Sequence, residues 1–261
     1  LAKQLRPIEP ILLHRRFAYT PGLGMYIPAQ PLRRGVIGKH FRSAVSPNAP
    51  VYSALEKSGF MPKVVHATPE ALGDLDVLVA SYAQVVTDED AAAIARFVEN
   101  GGLLISTPWL GACSEHGNMR TVYPEPESPL ADLLGFRLVN TSQKPAATEL
   151  TFDGPDALPL SGRRFKSRGR DEVIHRADDV EVLATYEDGA PLLLRRKVGQ
   201  GTVVYLNAVY DWDGWWNAFH IDHRETYRRL IEAIIRTDRR VAPAYRIAFR
   251  SLEKTDANAG W

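Results

Sequence analysis

Asp76-Val77-Leu78-Val79-Ala80, then Thr87 through Val98 to Gly101, then Leu103-Leu104-Ile105-Ser106 is the stretch on which the fold turns. Val77 to Ala80 is apolar at every position, where a half-exposed strand would alternate, so it reads as a strand covered on both faces. Thr87 offers a side-chain oxygen to cap a helix, Ala91, Ile94, Ala95 and Val98 recur at helical spacing, and Gly101 supplies a left-handed stop. Leu103 to Ser106 is a second fully apolar strand. Strand, helix and strand joined by short connections make a βαβ unit, and its right-handed crossover sets the two strands parallel.

The pattern extends in both directions. Downstream, Ser128-Pro129 has the cap and first-turn signature of a helix with Leu130, Leu133 and Leu134 on its apolar face. Gly135 ends it before a strand at Phe136 to Val139. Upstream, Val51, Ala54 and Leu55 fit a helical face that stops at Gly59, and Lys63-Val64-Val65-His66 follows as a short strand. Residues 1–50 are rich in Pro and paired Arg, with apolar residues only in bursts such as Pro10-Ile11-Leu12-Leu13, and read as an arm or linker. After residue 145 strand-like segments take over: Glu149 to Phe152, Val180 to Tyr186, Pro191 to Val198 and Thr202 to Ala208. The last two flank Gly199-Gln200-Gly201, which predicts an antiparallel hairpin. Asp222 and Glu225 form a capping box for a helix carrying Tyr227, Leu230, Ile231, Ile234 and Ile235. One α/β domain is expected over 51–240. A tail follows over 241–261, in which Tyr245 to Phe249 would pair as a strand with a missing domain or a neighbouring chain.

Composition narrows the function classes. Of 261 residues, 45% are hydrophobic and 24% charged, with five Trp, ten Tyr and nine Phe, so the chain folds around a sizeable core. A net charge of +1 gives no field to steer it onto nucleic acid or an anionic membrane. The cluster Arg163 to Arg170 carries one aromatic between turn signals and reads as a solvated loop; Arg195-Arg196-Lys197 is the second basic cluster. No apolar run reaches the roughly 18–20 residues of a membrane span, so a soluble, cytoplasmic protein is expected. Cys113 is the single cysteine, which excludes an intramolecular disulfide and a zinc site of several thiolates. The sequence opens at Leu1 and closes on a polar run, and is expected to be a piece of a longer protein.

Three stretches carry a family resemblance: Leu75 to Ala80, Arg96-Phe97-Val98-Glu99-Asn100-Gly101-Gly102-Leu103-Leu104-Ile105-Ser106-Thr107, and Pro129 to Leu138. With Val182 to Tyr186, a Gly-Ala-Pro segment and Gly199 to Leu206 following in order, residues 50–236 resemble the β-galactosidase trimerisation domain of glycoside hydrolase family 42. The resemblance implies a flavodoxin-like, class I glutamine amidotransferase-like three-layer sandwich with a mainly parallel central sheet and an antiparallel hairpin toward the C-terminus. It further implies lost amidotransferase chemistry and a non-catalytic role in assembly, as a homo-oligomer with a trimer favoured, or beside a glycosidase-type catalytic domain. The chain departs from the family's setting in one respect. No (β/α)₈ barrel with its two carboxylates precedes the domain, and glycoside hydrolysis needs such a pair about 5–5.5 or 6.5–9.5 Å apart, so hydrolysis is not assigned.

Two segments carry residues able to do chemistry. Cys113 lies in Pro108-Trp109-Leu110-Gly111-Ala112-Cys113-Ser114-Glu115-His116, just beyond an apolar parallel strand, where open α/β sheets place ligands. A nucleophilic Cys needs a tight elbow, a His to take its proton and a carboxylate to orient that His. His223 and Glu225 are the candidate partners, with a structural cysteine as the plainer alternative. Trp109, Glu115 and His116 are candidate ligand or interface residues. Asp211-Trp212-Asp213-Gly214-Trp215-Trp216 is the second segment, whose indoles can pack the loop, fill an interface or stack on sugar. A carbohydrate-binding module using Trp109, Trp215 and Trp216 is therefore a further alternative. Asp211, Asp213, His220, Asp222 and His223 lack any familiar ligand spacing, so no metal is expected. No strand leads into a phosphate loop, and Gly35-Val36-Ile37-Gly38-Lys39 lacks the spacing of one, so no nucleotide or other cofactor is expected.

Overall fold

A computed structural model describes residues 19–28, 49–116, 118–140, 146–151, 160–167, 169–209, 221–237 and 241, with the backbone alone at Ala49, Pro50, 221–225 and Thr237. Its frame is a seven-stranded sheet. Five strands are parallel neighbours: β2 (Lys63–Val65), β1 (Leu23–Tyr26), β3 (Val77–Ala80), β4 (Leu103–Ser106) and β12 (Gly201–Leu206). Two antiparallel strands, β11 (Pro191–Val198) and β10 (Val180–Thr185), extend the β12 edge. The unit read first from sequence is in place. Val77 pairs with Leu103 and Ala80 with Ser106, joined by the helix Asp88–Glu99. The hairpin at Gly199-Gln200-Gly201 is also in place, with Val198 opposite Gly201.

Period-two alternation along the strands makes two cores, one on each face. On one face Leu23, Met25, Val77, Val79, Leu103 and Ile105 meet α1 (Ala49–Lys57) and α5 (Ile221–Thr237). On the other, Leu78, Ala80, Leu104, Val203 and Tyr205 meet α2 (Pro69–Leu72), α3 (Asp88–Glu99) and α4 (Pro129–Leu134). The five apolar positions expected on the last helix are all buried, each contributing about 1.5–3 kcal/mol against leaving it in water. Thr87 caps α3, its Oγ1 accepting the Asp90 N–H at 3.1 Å, and Asp88, Glu89 and Asp90 place charge at the positive end of the helix dipole. Ser128 caps α4 in the same way, and Gly135 closes it at φ 70°.

Four sequence expectations change. Leu23–Tyr26, inside the stretch read as an arm, is a fully buried interior strand between β2 and β3. Arg164–Ser167, read as a solvated loop, is strand β8, paired antiparallel with β7 (Ala146–Glu149). Phe165 is buried there while Arg164 and Lys166 face outward, and the β7 strand precedes the Glu149–Phe152 position expected for it. The strand after α4, β6 (Arg137–Val139), leaves the parallel sheet for a small antiparallel sheet between β5 (Val122–Tyr123) and β9 (Glu172–Ile174). Only Leu138 of its three residues is buried, too little apolar surface for a strand covered on both faces. Finally, α5 begins at Ile221, so Asp222 lies in its first turn rather than before it. Tyr245 to Phe249 lie outside the described residues. No helix among the described residues is long and apolar enough to cross a membrane.

Candidate functional site

The carboxyl ends of parallel strands are where doubly wound sheets usually open a crevice for ligands. Here the residues just beyond β3, β4 and β12 turn inward. Ser81, Tyr82, Thr107 and Asn207 are all buried. Tyr82 and Trp109 hold positive φ, 49° and 79°, which costs of order 1–3 kcal/mol each and persists only where neighbours enforce it. Their rings meet edge to face with centroids 5.4 Å apart. The Thr107 Oγ1 accepts the Tyr82 N–H at 3.2 Å.

Behind Trp109 runs a buried polar chain. The Trp109 N–H donates to Tyr123 Oη at 3.0 Å, and the Tyr123 hydroxyl donates in turn to the Asp171 carboxylate. Burial and the adjacent Asp171 carboxylate both hold the Tyr123 hydroxyl protonated, well above the ordinary tyrosine range. The Asp171 N–H donates to Asn207 Oδ1 at 2.9 Å, and the Asn207 amide returns bonds to Asp171 O at 2.8 Å and Pro191 O at 3.0 Å. Five elements are thereby tied together: the loop after β4, the β5 strand, the approach to β9, the start of β11 and the end of β12. A second tie lies beside it. Arg170 pairs with Asp188 and stacks over the Tyr186 ring at 4.9 Å, while the Tyr186 hydroxyl donates to Asn207 O at 2.7 Å. The chain Tyr123-Asp171-Asn207 was not among the candidates from sequence.

Cys113 sits in an extended crossing rather than on an elbow, bridged to Val85 on one side and Met119 on the other. Its N–H donates to Gln84 O at 2.8 Å, and Arg120 Nη1 donates to Cys113 O at 2.7 Å. The thiol is buried against Met119 Sδ at 3.8 Å. Burial pushes its pKa up, against a smaller lowering by Arg120, so the thiol stays protonated near neutrality. Glu115 and His116 are exposed and pair with each other at 3.6 Å. Trp109 is partly buried, and its indole Nε1 has no hydrogen-bond partner among the described residues. His223 and Glu225 fall in the first turn of α5, and their side chains lie outside the described residues, as do Asp211, Trp212, Asp213, Trp215, Trp216 and His220 in full.

The sequence model of the β-galactosidase trimerisation domain matches residues 48–219. This chain belongs to that family. Over 176 residues it is 28% identical to the β-galactosidase BglY of Alicyclobacillus acidocaldarius, a match covering 66% of this chain and 25% of the relative. The β-galactosidase structure from Bacillus circulans sp. alkalophilus superposes with a TM-score of 0.63 at 20% identity, covering 93% of this chain and 34% of that one. The exo-β-1,4-mannosidase Op5Man5 from Opitutaceae bacterium strain TAV5 gives 0.59 at 16% identity, covering 82% and 36%. The trimerisation-domain chain thus spans a quarter of the curated relative and about a third of these solved chains.

Proposed function

We propose that this chain is an assembly domain that holds copies of its polypeptide in a homotrimer, beside a glycosidase-type catalytic domain. The observation that carries the reading is the match of residues 48–219 to the trimerisation family. Its support in the fold is the buried tyrosine–carboxylate tie beyond the carboxyl ends of β4 and β12. The strand order β2-β1-β3-β4-β12 follows the flavodoxin-like order 2-1-3-4-5, and with helices on both faces it favours an amidotransferase-like three-layer sandwich. We draw the α/β domain to take in Leu23–Tyr26 together with 51–240, since β1 lies inside the sheet. Light scattering of the purified chain across a wide concentration range tests the reading. A discrete species of three times the 29.1 kDa chain mass is expected, and a strict monomer at high concentration would refute it.

A further inference from the structure

At the amino ends of β3 and β4, the end of the sheet away from Trp109 and Asn207, a cleft of about 340 Å³ opens between α2 and α3. That volume lies near the lower end of the range for small-molecule sites, about 300–1,000 Å³. Asp76 and Arg96 are the two charged side chains of the lining, Asn100 adds an amide, and Leu72, Leu75 and Phe97 supply apolar walls.

These groups stand on fixed backbone. Asp76 is stitched to both neighbouring strands, its N–H donating to Gly22 O at 2.8 Å and its carbonyl accepting the Leu103 N–H at 2.8 Å. A Cβ at Gly22 would lie 2.3 Å from Asp76 Oδ2, so glycine there, at φ 71°, leaves the carboxylate its place. Arg96 and Asn100 project one turn apart from the last turn and cap of α3. The tip of the buried Phe97 ring lies over Gly102, where a Cβ would meet it at 2.3 Å. Asp76 and Arg96 are exposed, and among the described residues neither makes an ion pair or side-chain hydrogen bond, with the other or with a third group.

One charge of each sign in a single cleft, held apart from each other, selects among ligands. A simple anion is drawn to Arg96 and repelled by Asp76, a simple cation the reverse, and only a molecule carrying both charges satisfies both walls. We infer that the cleft binds a small zwitterion with an apolar body, a free α-amino acid of the leucine or phenylalanine kind. Its carboxylate sits on the planar fork of Arg96 beside the Asn100 amide, and its ammonium on Asp76, near the negative end of the α3 dipole. Its side chain lies on Leu72, Leu75 and Phe97. This site is one that the assembly reading leaves unused, and it stands whether or not the chain forms a trimer.

The test is titration of the purified chain with leucine and phenylalanine at neutral pH and low salt, followed by calorimetry. Saturable binding of one molecule per chain is expected, with a dissociation constant of about 0.1–1 mM for charges this exposed. Three probes each lack one feature: N-acetyl-leucine the ammonium, leucinamide the carboxylate, and glycine the apolar body. Each is expected to bind at least about tenfold more weakly than leucine. Asp76→Asn and Arg96→Gln, checked for folding by circular dichroism, separate the two walls. Arg96→Gln should no longer distinguish leucine from leucinamide, and Asp76→Asn should no longer distinguish leucine from N-acetyl-leucine. No saturation by about 10 mM, or probes that bind as well as leucine, overturns the site without touching the trimer reading. Variants that keep both discriminations overturn it as well, and the probe series decides the matter even if a variant fails to fold.

Discussion

Replacing Tyr123 by Phe removes a single oxygen from the middle of the buried chain and leaves both its neighbours short of a partner. The Asp171 carboxylate, almost fully buried, loses a charge-assisted hydrogen bond worth about 1.5–3 kcal/mol, and the Trp109 N–H loses a neutral one worth about 0.5–1.5 kcal/mol. The ring itself keeps its packing, so no cavity term adds. The expected cost is about 2–4 kcal/mol, and with a urea slope of about 3 kcal/mol per molar the unfolding midpoint falls by roughly 1 M at unchanged slope. Tyr205→Phe is the matched control. Tyr205 is equally buried, but its hydroxyl has no hydrogen-bond partner among the described residues, so its removal forfeits none of their hydrogen bonds. That variant is expected within about 1 kcal/mol of the parent, on the stabilising side. Equal effects from the two substitutions would refute the claim that the Tyr123–Asp171 tie, rather than buried hydroxyls in general, holds this end of the sheet.

Two further outcomes follow from named contacts. Native Cys113 should alkylate at least about tenfold more slowly than in the unfolded chain at pH 8, because burial keeps the thiol protonated. The unfolded thiol releases its proton near pH 8.5 while the native one retains it, so stability falls as pH rises above about 8.5, and Cys113→Ala should remove that part of the slope. Fast labelling of native protein would instead mark an exposed thiolate. Gly201→Ala would place a methyl 2.0 Å from Val98 O, where the hairpin abuts the end of α3, at a cost of about 2–3 kcal/mol. Gly189→Ala, at φ 82° with open space around it, carries backbone strain alone, of about 1 kcal/mol. Similar midpoints for the two in urea would show that the hairpin does not seat on α3.

The parts of the fold legible in sequence were those whose signals were local and mutually consistent. Val77–Ala80 and Leu103–Ile105 are uniformly apolar, and Thr87, the stripe from Ala91 to Val98 and Gly101 bracket the helix between them. Leu23–Tyr26 offers four residues, one a glycine, with no period around it. Its glycine has a tertiary reason, since a Cβ at Gly24 would lie 2.4 Å from Leu75 Cδ1, and that contact is invisible until the strands are paired. Strand β8 did carry a period of two, Arg164 and Lys166 out with Phe165 and Ser167 in, but the density of basic residues outweighed it. Tyr123, Asp171 and Asn207 are 48 and 36 residues apart along successive links, so no spacing rule could gather them. One signal was available: Asn207 is a polar residue directly following the apolar run Val203 to Leu206 of a parallel strand.

That same tie bears on why assembly is the activity this fold supports. A doubly wound sheet that performs chemistry keeps its strand ends apart, so that loops can meet a ligand and move with it. Here Trp109 and Tyr82 hold positive φ within a hydrogen-bonded cluster whose rings meet edge to face, and Asn207 knits the end of β12 to the chain leading into β9. Such bonds stiffen the end of the sheet, and stiffness is what a domain needs if it is to hold partners at a fixed angle, because each side chain or loop that must order on association weakens the contact. It follows that loosening the tie should act on assembly at a distance. Tyr123→Phe is expected to weaken the oligomer as well as the fold, whereas Tyr205→Phe should leave both intact.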